Sequence, residues 1–276
     1  MQWTIRRLES AAELAECVEI QIRVWGLKGE ETVSAPILET CLDHGALLIG
    51  AFRNEILTGF CFSLPSFWKG SVAHHSHMLA VLPESRDQGI GYRLKNAQFE
   101  ALKNHCRWIT WTFDPLESRN ARLNLKLGVS MDTYIRDLYG DGESCTLHQG
   151  IGTDRFIAEW PTSPTRNPRA QKLPLPQAST PRLIETEWDD RGFFKPLESI
   201  LDRTEKRLYL EIPADIQEIK TTCPNCAREW RLATRTALEH YFEKGYAVKD
   251  FLTFIDSQTG TRRSFYILSH GQGATS

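Results

Sequence analysis

The chain has 276 residues, 41% of them hydrophobic and 25% charged, which suits one large domain or two modest ones. Its 33 lysines and arginines nearly cancel 35 aspartates and glutamates, leaving a formal charge of −2 and no basic field to hold nucleic acid. No apolar run approaches the roughly 20 residues a membrane helix needs, and the opening MQWTIRRLES lacks the apolar core of a signal peptide. A cytoplasmic protein with no membrane contact is therefore expected. Seven cysteines at scattered spacings fit reduced thiols better than a disulfide framework.

In chain order, Gln2 to Arg6 reads as a strand. Ser10 and Glu13 have capping-box spacing, and Leu14, Val18 and Ile22 recur every four residues, predicting an amphipathic helix to Trp25-Gly26. A second helix is expected from Ala35 to Asp43. Ala46 to Phe52 and Ile56 to Leu64 read as strands joined at Arg53-Asn54. A loop through Trp68-Lys69-Gly70 leads into a strand from His74 to Leu82, stopped by Pro83. After Arg86-Asp87-Gln88-Gly89-Ile90-Gly91 comes a helix from Tyr92 to Cys106. Trp108 to Phe113 is an aromatic and β-branched strand ended by Asp114-Pro115, and Ser118 to Leu127 is a helix stopped by Gly128. The order is β-α-α-β-β-β-α-β-α.

Six prolines between Pro161 and Pro181 preclude a continuous helix or central strand, so this stretch reads as a linker or extended crossover. Beyond it, Arg207 to Ile212 is a strand and Arg228 to Lys244 a helix. Tyr246 to Ile255 and Arg263 to Ser269 form a hairpin around Gln258-Thr259-Gly260. The expected organisation is a domain over 1–160, a linker over 161–181 and a β-α-β-β segment over 182–276. That last piece is small for an independent core, so it should pack on the first domain or extend its sheet.

The turn before the Tyr92 helix has the chemistry of an anion site. The first N–H groups of a helix lack intrahelical partners and lie at the positive end of its dipole. Gly89 and Gly91 let that backbone approach a phosphate without a Cβ in the way. A glycine turn between packed elements is the plainer reading of the same residues. The spacing Arg86-x-x-Gly89-x-Gly91, after a strand ending Leu79-x-Val81-x-Pro83, resembles the coenzyme A pyrophosphate loop of the GNAT superfamily of acyl-CoA-dependent N-acetyltransferases. TWTFDPLESRNARLNLKLG is similar to the strand-loop-helix that closes the coenzyme A cleft there. It resembles most a two-part subgroup in which WTFDP precedes an asparagine-bearing helix and an extra C-terminal segment follows.

The resemblance implies an α/β (α+β) fold with a mixed sheet, GNAT-like, carrying a small C-terminal β-α-β-β extension. It implies acetyl-CoA or another acyl-CoA as co-substrate, held by Leu79, Ala80, Val81, Arg86, Gln88, Gly89, Ile90, Gly91 and Tyr92. Asn120 would contact the pantetheine arm or help turn the chain into its helix; otherwise it is only a helix-terminus residue. In the family the two strands splay, and the opened backbone receives the pantetheine amides as a sheet edge receives a peptide. An N–H near Leu79 to Val81 then stabilises the oxyanion formed when an amine attacks the thioester directly. A base and an acid remain to be found.

His77 is the first candidate base, since on a regular strand it shares a face with Leu79; His75 and Asp114 follow. An exposed strand start would also tolerate these histidines, and Asp114 could instead cap the turn at Pro115. The family's usual acid is a tyrosine four residues before a Gly-Phe pair. Here that position is Asn124, and Val129 replaces the phenylalanine. Tyr134 or Tyr139 would stand in, or the thiolate leaves unaided. The implied function is an N-acyltransferase moving acetyl by default, or a larger group such as succinyl, to a primary amine of a small molecule. The alternative is a non-catalytic acyl-CoA-binding module. The C-terminal segment would complete the acceptor side or make a homodimer contact.

Cys223-Pro-Asn-Cys226 and Cys145-Thr-Leu-His148 have zinc-ligand spacing, and Cys223 with Cys226 could equally be a redox pair or plain packed thiols. No metal is expected. Cys17, Cys41, Cys61 and Cys106 read as core residues. Trp108 and Trp111 fit core packing, whereas Trp68 could line an acceptor pocket.

Overall fold

Ser10 and Glu13 close a capping box, each side chain reaching the other's backbone N–H, and start helix α1 (Ala11–Trp25). Around it the computed structural model describes residues 3–140, 150–163, 174–177 and 179–270. The remaining elements are β1 (Trp3–Arg7), α2 (Ala35–Asp43), β2 (Leu47–Arg53), β3 (Ile56–Trp68), β4 (Ser71–Val81), α3 (Ile90–Leu102), β5 (Trp108–Phe113), α4 (Ser118–Leu127), β6 (Ser130–Ile135) and β7 (Arg155–Pro161). They continue with β8 (Ile184–Trp188), β9 (Phe194–Ser199), β10 (Arg207–Ile212), α5 (Ile216–Thr222), α6 (Pro224–Glu243), β11 (Tyr246–Ile255) and β12 (Arg262–His270).

Contacts divide the chain into two units. The first comprises Met1–Trp111 with Glu159–Arg166, the second Thr112–Ala158 with Asn167–Ser276. The expected boundary at 160 falls inside β7. In the first unit the strands run β1-β2-β3-β4-β5, with the end of β7 beside β5. β1–β2, β2–β3 and β3–β4 pair antiparallel and β4–β5 pair parallel, so the sheet is mixed as expected. Leu14, Cys17 and Ile20 of α1, with Leu38 of α2, pack on Leu48, Phe60, Phe62 and Ala80. Buried Gln21 is accommodated because its amide exchanges two hydrogen bonds with the Val33 backbone, 2.8 and 3.1 Å. The loop expected at Trp68–Gly70 is a two-residue turn, with Lys69 and Gly70 at φ 47° and 71°. Both strands therefore run on to the Trp68–Ser71 pair.

In the second unit the order is β7-β6-β11-β12-β10. The expected β-α-β-β run is present as β10, α6, β11 and β12. A hairpin of β8 and β9, and the short helix α5, precede α6 and were not anticipated. Trp230, Ala237, Leu238 and Tyr241 give α6 a fully buried face. Buried Arg263 donates to Glu211 at 2.7 Å, binding β12 to β10. Most of 161–181, expected as linker, lies outside the described residues, and Pro161 closes β7. Among the described residues no helix is long and apolar enough to cross a membrane.

Candidate functional site

β4 is held by β3 along its length, but the register slips once. Phe62 faces Met78 while Ser63 faces Ser76, so His77 is the extra residue of a β-bulge. On its other edge β4 pairs with β5 only at Ala73–Trp108, His74–Ile109 and His75–Thr110. Beyond His75 the pairing ends, and the β5-side edge of Ser76 to Val81 has no strand partner among the described residues. The bulge explains the parting, because an inserted residue bends and twists its strand. It also interrupts the alternation that would have put His77 on the face of Leu79.

The strand ends in a tight turn. Arg86 Nε donates to Val81 O at 3.1 Å, folding the loop back on the strand. Asp87 and Gly89 both take left-handed conformations, φ 62° and 75°. Gly89 is the N-cap of α3, which begins at Ile90, two residues earlier than expected, and no side chain caps it. Arg86, Gln88 and Gly89 are exposed, whereas Ile90 anchors the helix in the core. Leu79, Gly91 and Tyr92 are half-buried and Ala80 is buried. The positions expected around a pyrophosphate are thus brought together at one strand end and one uncapped helix start.

Three histidines lie at the parting. His75 Nδ1 is 3.3 Å from Thr110 Oγ1, across the last β4–β5 pair. His74 is buried beside Ser63, 3.4 Å away. His77 packs its ring edge-on against Phe62. Burial depresses the pKa of all three, with His77 and Lys95 adding to the effect on His75. Trp68 donates to Glu159 at 2.9 Å and is clamped there, so it is not a free pocket wall.

The other expected residues belong to the second unit. Asp114 is 4% exposed and engaged by Leu116 N at 2.8 Å and Arg231 Nη2 at 2.6 Å, with Arg155 3.8 Å away. Tyr134 donates to Asp154, and burial first, then Asp154, pushes its phenol far above the usual range. Tyr139 is exposed, 3.4 Å from Thr112 Oγ1. Asn120 is exposed in the first turn of α4, while Asn124 is buried.

Cys223 and Cys226 are disulfide-bonded at the start of α6, correcting the expectation of wholly reduced thiols: the one-turn CxxC spacing at a helix N-terminus brings the sulfurs together. Cys145 and His148, the other half of the zinc pattern, lie outside the described residues. Among the described residues no three metal-ligating side chains cluster. Cys17, Cys61 and Cys106 are buried, and Cys41 is half-buried.

Sequence reasoning missed Lys95. It lies on the buried face of α3 with Ile90, Leu94, Gln98, Phe99 and Leu102, and is 1% exposed. Its Nζ donates to Ser76 Oγ at 2.8 Å and Gln98 Oε1 at 3.1 Å, and stands 3.6 Å from the centroid of the Trp111 ring. A lysine and a glutamine inside an apolar stripe of helical spacing were the available signal.

No family model and no curated protein matches the sequence. Among solved structures the chain is similar to an aminoglycoside 6′-acetyltransferase type Ii, at 16% identity and a TM-score of 0.48 over 58% of this chain and 98% of that one. It is similar to the ribosomal-protein-S18-alanine N-acetyltransferase of Escherichia coli, at 18% and 0.47 over 59% and 95%. A GNAT-family acetyltransferase from Streptococcus pneumoniae gives 15% and 0.47 over 58% and 99%. At such scores and identities these likenesses carry nothing about this chain's residues or substrates.

Proposed function

We propose that the chain is an acyl-CoA-dependent N-acyltransferase of GNAT type, passing an acyl group to the primary amine of a small molecule. One observation carries the reading. A bulge at His77 parts β4 from β5 immediately before a strand end that feeds a left-handed glycine and an uncapped helix. Unpaired strand edge and helix start then serve two parts of one ligand. Pantetheine amides pair with Ser76 to Val81 as an added strand would, and the pyrophosphate meets the first N–H groups of α3.

The chemistry follows from what faces the opening. His77, its pKa depressed by burial, is a neutral imidazole near pH 7 and takes the proton from the incoming ammonium. The freed amine attacks the thioester carbonyl. A backbone N–H between Leu79 and Val81 receives the oxyanion, the C–S bond breaks, and the thiolate takes up a proton. Asp114, committed to Arg231, serves the fold rather than the proton. Tyr134, with its pKa raised and its hydroxyl given to Asp154, is a poor acid. Asn124 stands where the family has its tyrosine, so the thiolate leaves unaided.

Calorimetric titration with acetyl-CoA, succinyl-CoA and free coenzyme A tests the site, and amine-dependent thiol release across an amine panel tests the reaction. Saturable binding of a 1:1 complex together with thiol release is expected. Binding without release from any amine would leave a non-catalytic acyl-CoA-binding module, and no binding would remove the proposal.

A further inference from the structure

Four buried cations occur among the described residues: Lys95, Arg155, Arg231 and Arg263. Arg231 and Arg155 lie 2.6 and 3.8 Å from Asp114, and Arg263 is paired with Glu211. Lys95 differs. Its neighbours are a hydroxyl, an amide oxygen and an indole face, and among the described residues no carboxylate lies within ion-pair distance. A buried ammonium without a counterion is costly, and neutral acceptors offset only part of that cost.

A second observation lies beside it. Gln98 is fully buried, and its Nε2 has no hydrogen-bond partner among the described residues. The ammonium fixes which end of the amide it faces, because only the oxygen can accept from Lys95 Nζ. An uncompensated cation and an orphaned N–H donor therefore sit one helical turn apart. Both call for the same thing, an anionic acceptor.

Their position indicates where that acceptor comes from. Ser76 and Trp111 are the first residues of β4 and β5 beyond the last pair, His75–Thr110. Lys95 reaches the first by hydrogen bond and the second through its ring, so its Nζ stands at the vertex where the strands part. We propose that Lys95, with Gln98, reads the terminal carboxylate of a dicarboxylic acyl group, so that the acyl donor is a succinyl-type thioester rather than acetyl-CoA. This rests on the opening being the acyl-CoA site.

The test is the ratio of affinities for succinyl-CoA and acetyl-CoA, measured by calorimetry on the full chain and on Lys95→Met, with circular dichroism to confirm that the variant folds. The wild type should favour succinyl-CoA by about tenfold or more, the range of a desolvated charge-assisted bond, and the variant should bring the ratio close to one. A second readout needs no variant. The wild-type ratio should fall as pH rises through about 8, where Lys95 loses its charge. The titratable groups facing Lys95 are Cys61 on β3 and His75 on β4; burial raises the first, and the second is depressed and already neutral there. Equal wild-type affinities, a preference for acetyl-CoA, or a preference that survives in Lys95→Met would each overturn the inference while leaving the acyl-CoA site standing. Failure of every coenzyme A species to bind would remove both.

Discussion

Lys95 makes a prediction about folding that is independent of any ligand. Its burial holds the pKa at about 8, against an ordinary 10.5. Between those values the unfolded chain keeps a proton that the folded chain has released, so stability rises with pH across that window. Below pH 8 both states carry the proton and the folded state bears the full penalty of the buried charge. Integrated from pH 7 to pH 10, the gain is about 2.5 kcal/mol. Lys95→Met removes this titration and little volume. Urea unfolding followed by tryptophan fluorescence at pH 7, 8, 9 and 10 should show the wild type gaining about 2.5 kcal/mol relative to the variant. Groups titrating in both chains, Cys61 and His75 among them, cancel to first order in that difference. Parallel pH profiles, agreeing within about 0.5 kcal/mol, would refute the claim that a protonated amine is buried here without a counterion.

Three further outcomes are expected. Gly89→Val meets open space, since a Cβ there finds nothing within 4 Å, so the chain bears only the left-handed strain of about 1–2 kcal/mol. A fall in coenzyme A affinity of about tenfold or more in the folded variant would then report the phosphate path, and unchanged affinity would show that phosphate does not pass Gly89. Asp114→Asn leaves Arg231 buried with its charge uncompensated and should cost about 3–5 kcal/mol by urea unfolding; a loss of turnover with stability intact would instead make Asp114 the base. His77→Gln should lower kcat by about 10²–10⁴ and abolish an acid limb in kcat/KM centred below the ordinary 6.5. An acid limb that persists unchanged would place the base elsewhere.

What could be read in advance was what is local. The capping box at Ser10, the glycine spacing after Pro83 and the aromatic strand at Trp108 depend on residues a few positions apart, and each lies where expected. The bulge could not be read, because it is a property of the register between β3 and β4 and not of either strand alone. Asp114 looked like a free carboxylate near a turn because its partner Arg231 is 117 residues away. Lys95 was hidden differently. Its helix was foreseen, but its surroundings come from β4 and β5, so neither the depressed pKa nor the missing counterion is legible in GYRLKNAQF. Strands β6 and β8 escaped because SMDTYI and IETEW mix exposed polar positions without a continuous apolar face.

The parting of β4 and β5 has a structural cause on the side away from it. At the far end of β4, Gly59 of β3 lies opposite Val81, and a Cβ on Gly59 would stand 2.5 Å from Ala80 O and 3.1 Å from Val81 Cα. Only glycine permits so close an approach, so β3 holds the Ala80–Val81 backbone tightly and the extra residue at His77 cannot be absorbed on that edge. The bend is taken up on the other edge, where β5 pairs for three residues and then lets go. An edge made this way is preorganised: the N–H groups proposed to receive the oxyanion are positioned by the pairing with β3 before any ligand arrives. Ligand binding at this edge would then not have to separate two paired strands, and beside it stands Lys95, whose charge has no carboxylate within ion-pair distance among the described residues.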